Sequence, residues 1–148
     1  MAKCYHYTIA DRLIKILISG HIKLMEESSR RADYEVCFAW LTTSPKWDKT
    51  AFYDYPENAL DHQGRIRITL KNMYPSYLDY WGVIPDITEL EASGRKVGVD
   101  HTNWRISPEV IPVSDFEKVE MWFWKEKKWV EIPLGQINGI NATSEGNC

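Results

Sequence analysis

His6 is the side chain of this 148-residue protein whose type and setting most invite chemistry. It stands in the short polar-aromatic run Cys4-Tyr5-His6-Tyr7-Thr8, where a neutral imidazole can donate a hydrogen bond to a ribose hydroxyl or a carboxamide. A second set of hydroxyls, Thr42, Thr43 and Ser44, closes the apolar run Val36–Leu41, so polar groups gather at strand ends where a small ligand can be gripped. Arg67 and Arg105, with His101 nearby in sequence to the second, have the forked geometry that holds phosphates bidentately. Glu120, in Val119-Glu120-Met121-Trp122, is a carboxylate placed within a strand pattern. Each also has a plain reading. These are a buried hydrogen-bonded histidine, helix caps at Thr8, Thr43 or Ser44, surface arginines, and an exposed strand carboxylate.

The elements that must position these residues follow from periodicity. Ile9, Leu13, Ile16 and Leu17 recur at helical spacing, Ile14 and Ile18 widen the apolar face, and Gly20 suits a left-handed stop. Thr8 with Asp11 three residues on reads as an N-cap with an acidic partner. His21–Leu24 reads as a short strand, Glu26–Tyr34 as an exposed loop, and Val36–Leu41 as a central strand covered on both faces. Pro45 suits the first turn of a short helix through Trp47 to Phe52, and Asn58–Gly64 reads as a polar turn. Arg65–Leu70 alternates strictly, with Ile66, Ile68 and Leu70 to the core and Arg65, Arg67 and Thr69 to the other side. Tyr77–Trp81 and Ile87–Ala92 are short helical candidates, the second ended by Ser93-Gly94, and Trp104–Ser107 is a strand. Phe116–Trp124 and Trp129–Ile132 form a hairpin turning at Lys125–Lys128.

The length predicts a single domain over residues 1–135, with a loose Gly, Asn and Ser-rich tail at 136–148. One early helix followed mostly by strands predicts an α+β protein with antiparallel sheets. A net charge of −3 argues against coating nucleic acid through bulk electrostatics, while leaving room for a local basic groove. No apolar run approaches the roughly 20 residues needed to cross a bilayer, so no membrane partner and a cytoplasmic setting are expected. Cys4, Cys37 and Cys148 lack metal-ligand spacing, and the four histidines are scattered, so no metal is expected. Seven Trp and eight Tyr, several in loops, point to a surface that can stack on a flat ligand.

The order of His6-Tyr7-Thr8, helix, Gly20, short strand, and apolar strand ending in Thr42-Thr43-Ser44-Pro45-Lys46-Trp47 resembles the amino-terminal half of the ADP-ribosyltransferase-like fold. The resemblance implies two small antiparallel sheets forming a cleft, with NAD as substrate or ligand. It places His6, Tyr7 and Thr8 on the ribose and carboxamide, Thr42 and Thr43 at the neighbouring strand end, and Trp47 and Tyr53 against the nicotinamide ring. Many members open a late strand with a catalytic glutamate, where Trp104-Arg105 stands here, and an arginine cannot balance developing positive charge. The resemblance therefore implies Glu120 as the carboxylate, entering from the adjacent strand. Arg105 and Arg67 would hold the pyrophosphate, as arginines do in the RNA 2′-phosphotransferases of this fold. The implied activity is transfer of ADP-ribose to a macromolecule, protein or nucleic acid, or to water. The alternatives are a nucleotide-binding or sequestering module without chemistry, and a protein-interaction domain.

Overall fold

In the computed structural model, which describes residues 2–24, 38–51, 57–84 and 86–133, the opening run is strand β1, Tyr5–Ile9, and it passes directly into helix α1, Ala10–Ser19. Leu13, Ile16 and Leu17 form the buried stripe of α1. Gly20, at φ 88°, ends it in the left-handed region, its N–H donating to Ile16 O at 2.8 Å. The chain continues through β2 (His21–Ile22), β3 (Ala39–Thr42), α2 (Glu57–Gln63), β4 (Arg65–Leu70) and a 3₁₀ turn at Tyr77–Val83. Then come α3 (Ile87–Lys96), a 3₁₀ turn at His101–Asn103, β5 (Trp104–Ser107), β6 (Ile111–Pro112), a 3₁₀ turn at Val113–Asp115, β7 (Phe116–Phe123) and β8 (Lys128–Ile132). Among the described residues no helix is long and apolar enough to cross a membrane.

The α+β class with antiparallel sheets holds, in unequal form. One sheet has six strands in the order β5-β3-β1-β4-β7-β8, all neighbours antiparallel, and the other has only β2 and β6. Alternation assigns the two faces of the large sheet. On one face Leu41, Ile66, Ile68, Leu70 and Val119 pack with the stripe of α1. Full burial of such side chains contributes about 1.5–3 kcal/mol each, which offsets the ordering of the strands that carry them. On the other face, at the β3–β5 end, Trp104 and Ile106 pack with Phe38, Tyr77, Ile84 and Ile87. The rest of that face carries Tyr5, Tyr7, Arg65, Arg67, Thr69 and Glu120.

Four local readings are corrected. Thr8 does not cap α1, because Ile9 still has extended backbone and pairs with Arg65, so the hydroxyl comes one residue too early to reach the first free N–H groups. Residues 45–51 form turns rather than a helix, because the Asp48 carboxylate takes the Thr50 N–H at 2.8 Å and holds a turn that closes with Ala51 N–H on Asp48 O. The polar stretch before Gly64 is helix α2, anchored by the buried Leu60 and by Gly64 N–H donating to Leu60 O. Helix α3 runs through Ser93-Gly94 to Lys96, since Gly94 serves close packing instead of termination. The loop expected at Glu26–Tyr34, the start of the strand at Val36-Cys37, the aromatics Phe52, Tyr53 and Tyr55, and the tail 136–148 lie outside the described residues.

Gly94 gives a test of this packing. A Cβ there would meet Trp104 Cζ2 at 3.0 Å and Cη2 at 3.1 Å, and Trp104 is buried and ringed by aromatics that leave it little room to yield. Gly→Ala inside a helix ordinarily stabilises by about 1 kcal/mol. Gly94→Ala is expected to destabilise instead, by about 1–3 kcal/mol in urea unfolding, as overpacking does. A rise in stability would show that Trp104 is free to move.

Candidate functional site

Strand register aligns Tyr7, Arg67, Glu120 and Glu131 in one row across β1, β4, β7 and β8. Two carboxylates facing each other across β7 and β8 repel, so the exposed Glu131 turns to solvent while Glu120 takes the cation on its other side. Arg67 Nε and Nη2 donate to Glu120 Oε1 at 3.1 and 2.9 Å, and Nη1 donates to Pro45 O. Both side chains are largely withdrawn from water, 14% and 9% exposed. Lys118 adds a more distant charge at 3.9 Å. Among the described residues Glu120 Oε2 accepts no hydrogen bond, so half of this carboxylate is uncommitted.

Aromatic rings enclose the pair. The Arg67 guanidinium lies 4.6 Å from the Trp129 ring centre and 5.6 Å from that of Tyr5. Trp129 belongs to β8, three strand spacings from β1, or roughly 14 Å of sheet. Its ring nonetheless comes within 6.1 Å of Tyr7, so both rings lean inward over Arg67. Trp47 meets Tyr7 edge-on at 5.4 Å and is covered by Arg65 at 5.2 Å. The loop 43–51 forms a wall, pinned by Tyr7 Oη donating to Ser44 O at 2.7 Å, by Arg67 on Pro45, and by Trp104 Nε1 donating to Asp48 Oδ2 at 3.0 Å. Burial pushes the Tyr7 phenol well above its ordinary pKa, against the opposing pull of Arg67, so it remains a donor. The hydroxyl of Thr69, on the same face, is buried without a partner among the described residues.

The structure thus gathers Tyr7, Trp47, Arg67 and Glu120, places Thr42 opposite Tyr5 at the border of the group, and separates His6, Thr8 and Arg105 from it. His6 lies on the α1 face, where the charge of Arg12 acts on it, and Thr8 shares that face by alternation. His6 Nδ1 is 3.0 Å from Trp40 O, a carbonyl that can only accept, which places the ring proton on Nδ1. Its Nε2 is then an acceptor rather than the donor anticipated above. Thr42 Oγ1 accepts from Ser44 N–H at 3.1 Å, and Thr43 Oγ1 donates to Asn103 Oδ1 at 3.0 Å. Arg105 is on the edge strand, four strand spacings or roughly 19 Å from Glu120, and donates to the carbonyls of Thr102 and Trp104. Tyr53 lies outside the described residues. No family model, no curated protein and no solved structure matches the chain.

Sequence reasoning passed over Tyr5 and Trp129. The signal for Tyr5 was its two-residue spacing from Tyr7, which puts both rings on one face. Trp129 needed the hairpin register, which pairs it with Trp122. A second polar cluster, also unforeseen, closes the β5 end. Tyr77 Oη donates to Glu91 Oε2 at 2.6 Å, and His101 Nδ1 therefore donates to Tyr77 Oη at 2.9 Å. Burial first, and then the bond to Glu91, push the Tyr77 phenol up to about 12.

Two outcomes follow from this geometry. Arg67→Ala leaves buried Glu120 with only the distant Lys118 and is expected to cost about 3–5 kcal/mol in urea unfolding, while the pair Arg67→Leu with Glu120→Leu recovers most of it. A cost for Arg67→Ala below about 1 kcal/mol would mark the pair as a solvent-weakened contact. Burial lowers the His6 pKa from 6.5, so the unfolded chain takes up a proton that the folded one resists, and His6 erodes stability as pH falls through 6.5. Between about pH 7.5 and about pH 5.5 the wild type is expected to lose more stability than His6→Gln, and equal losses would refute the neutral, buried assignment.

Proposed function

We propose that this chain binds NAD or a related nucleotide against the β1–β4–β7 face and that it is an ADP-ribosyltransferase-like domain able to assist departure of the nicotinamide. The observation that carries the reading is the co-facial grouping of Tyr7, Trp47, Arg67 and Glu120, brought from three strands and a loop to one spot. In this reading Trp47 and Tyr7 offer ring faces to the nicotinamide, and Arg67 meets the pyrophosphate. A phosphate that draws Arg67 away from Glu120 leaves that carboxylate free to act beside the ribose. There it stabilises the oxocarbenium-like centre formed as the bond from C1 to nicotinamide breaks and the electron pair leaves with the ring. The acceptor nucleophile, a macromolecule or water, then attacks C1.

A second reading, binding without chemistry, is favoured by a specific feature. Glu120 Oε1 already takes two N–H groups from Arg67, so its charge is largely answered before any substrate arrives. The placement of His6 and Thr8 behind the sheet favours it too.

The experiment pairs calorimetry of NAD binding with a nicotinamide-release assay on wild type and Glu120→Gln, each checked for an intact thermal transition. The transferase reading expects wild-type release, with Glu120→Gln keeping affinity within a few-fold while turnover drops about 10²–10⁴-fold. Binding without release leaves the sequestering module. Absence of both removes the nucleotide reading altogether.

A further inference from the structure

The turn between β7 and β8 leaves large aromatics and a dense positive charge in water together. Phe123 and Trp124 are 44% and 47% exposed, and Lys125, Glu126, Lys127 and Lys128 follow them, all exposed. Lys127 takes φ 52° to close the turn. Glu126 pairs with Lys128 at 3.5 Å, so these two charges offset each other and Lys125 and Lys127 leave the tip positive, in a chain of net charge −3. Lys125 Nζ stands 5.5 Å from the Trp124 ring centre, placing an ammonium and a flat apolar face at one point.

We propose that this hairpin tip docks single-stranded nucleic acid, with a base stacked on Trp124 and backbone phosphates on Lys125 and Lys127. The complementarity is of charge and of shape. A single strand offers unpaired base faces beside regularly spaced phosphates, while a duplex hides those faces in its stack. A lipid surface fits poorly, because the apex itself is charged and insertion would dehydrate Lys125, Glu126 and Lys127 before the rings reached hydrocarbon. The tip lies three residues beyond Glu120 on β7, roughly 10 Å along the strand, but the proposal stands without the nucleotide reading of that face.

The test is fluorescence anisotropy of a labelled oligothymidine of about a dozen nucleotides with the intact protein. Binding is expected at low salt, with a log–log salt slope of about −1.4, since two lysines each meet a single-strand phosphate at about −0.7. Trp124→Ala is expected to weaken it about 5- to 150-fold, the loss of one stacked base, and Lys125→Glu with Lys127→Glu to weaken it at least as much. Thermal transitions should be unchanged, because all these side chains are exposed. No binding at low salt, equal affinity for a duplex, preference for phosphatidylserine vesicles, or indifference to Trp124→Ala would each overturn the proposal. NAD titration of the same samples shows separately whether the neighbouring face binds.

Discussion

A guanidinium and a carboxylate that leave water must each be answered within the protein, and Arg67 and Glu120 impose that demand on the centre of the sheet. They sit on adjacent inner strands, where their facing register is fixed by the apolar set on the reverse side, Ile66, Ile68 and Val119. Their remaining needs organise what lies above. Loop 43–51 supplies the Pro45 carbonyl, and Trp129 and Tyr5 supply ring faces to the guanidinium. The same arrangement bears on chemistry, because a carboxylate bound to an arginine does little for a reacting centre until that arginine is given another anion.

The outer half of this face is handled differently. There Trp104 is the pivot, packed on Trp40 and Tyr77 and approached closely by the backbone of α3 at Gly94. Its indole N–H reaches across to Asp48, so the loop that walls the charged half is anchored in the apolar half. The Glu91–Tyr77–His101 chain gives the buried phenol a full set of partners without opening this core to water. Asp48 is thus the joint between the two halves, holding Thr50 with one oxygen and Trp104 with the other.

The sequence carried the elements best where one periodicity acted alone. The α1 stripe, the alternating Arg65–Leu70 strand and the hairpin of Phe116–Ile132 could be read because apolar spacing and burial agree in each. It failed where a single side chain decided the matter. Asp48 turned a promising Pro45 helix into a loop, and Leu60 alone made a polar stretch into α2. At Gly94, the need of Trp104 for space outweighed the usual meaning of glycine. The candidate site was half legible for a related reason. Tyr7, Arg67 and Glu120 were recognisable by type, but which of them share a face with His6 depends on strand register, and register is a property of pairs of strands rather than of any one segment. Arg105 shows the same limit, since its chemistry suited a phosphate while its place on the far edge strand did not bring it to the others.

The inward lean of Trp129 has a consequence for how the chain recognises its own correct assembly. β8 is a five-residue edge strand opened by Lys128, and a short edge pairing of this kind can slip by one residue at modest cost. Such a slip would turn every side chain over, taking the indole away from Arg67 and presenting Lys128 or Val130 in its stead. The guanidinium would then face either a second cation or an aliphatic chain with no ring electrons to offer. The cage around Arg67 therefore acts as a proofreading device for the outermost pairing, and fidelity of the hairpin is enforced by a residue two strands away.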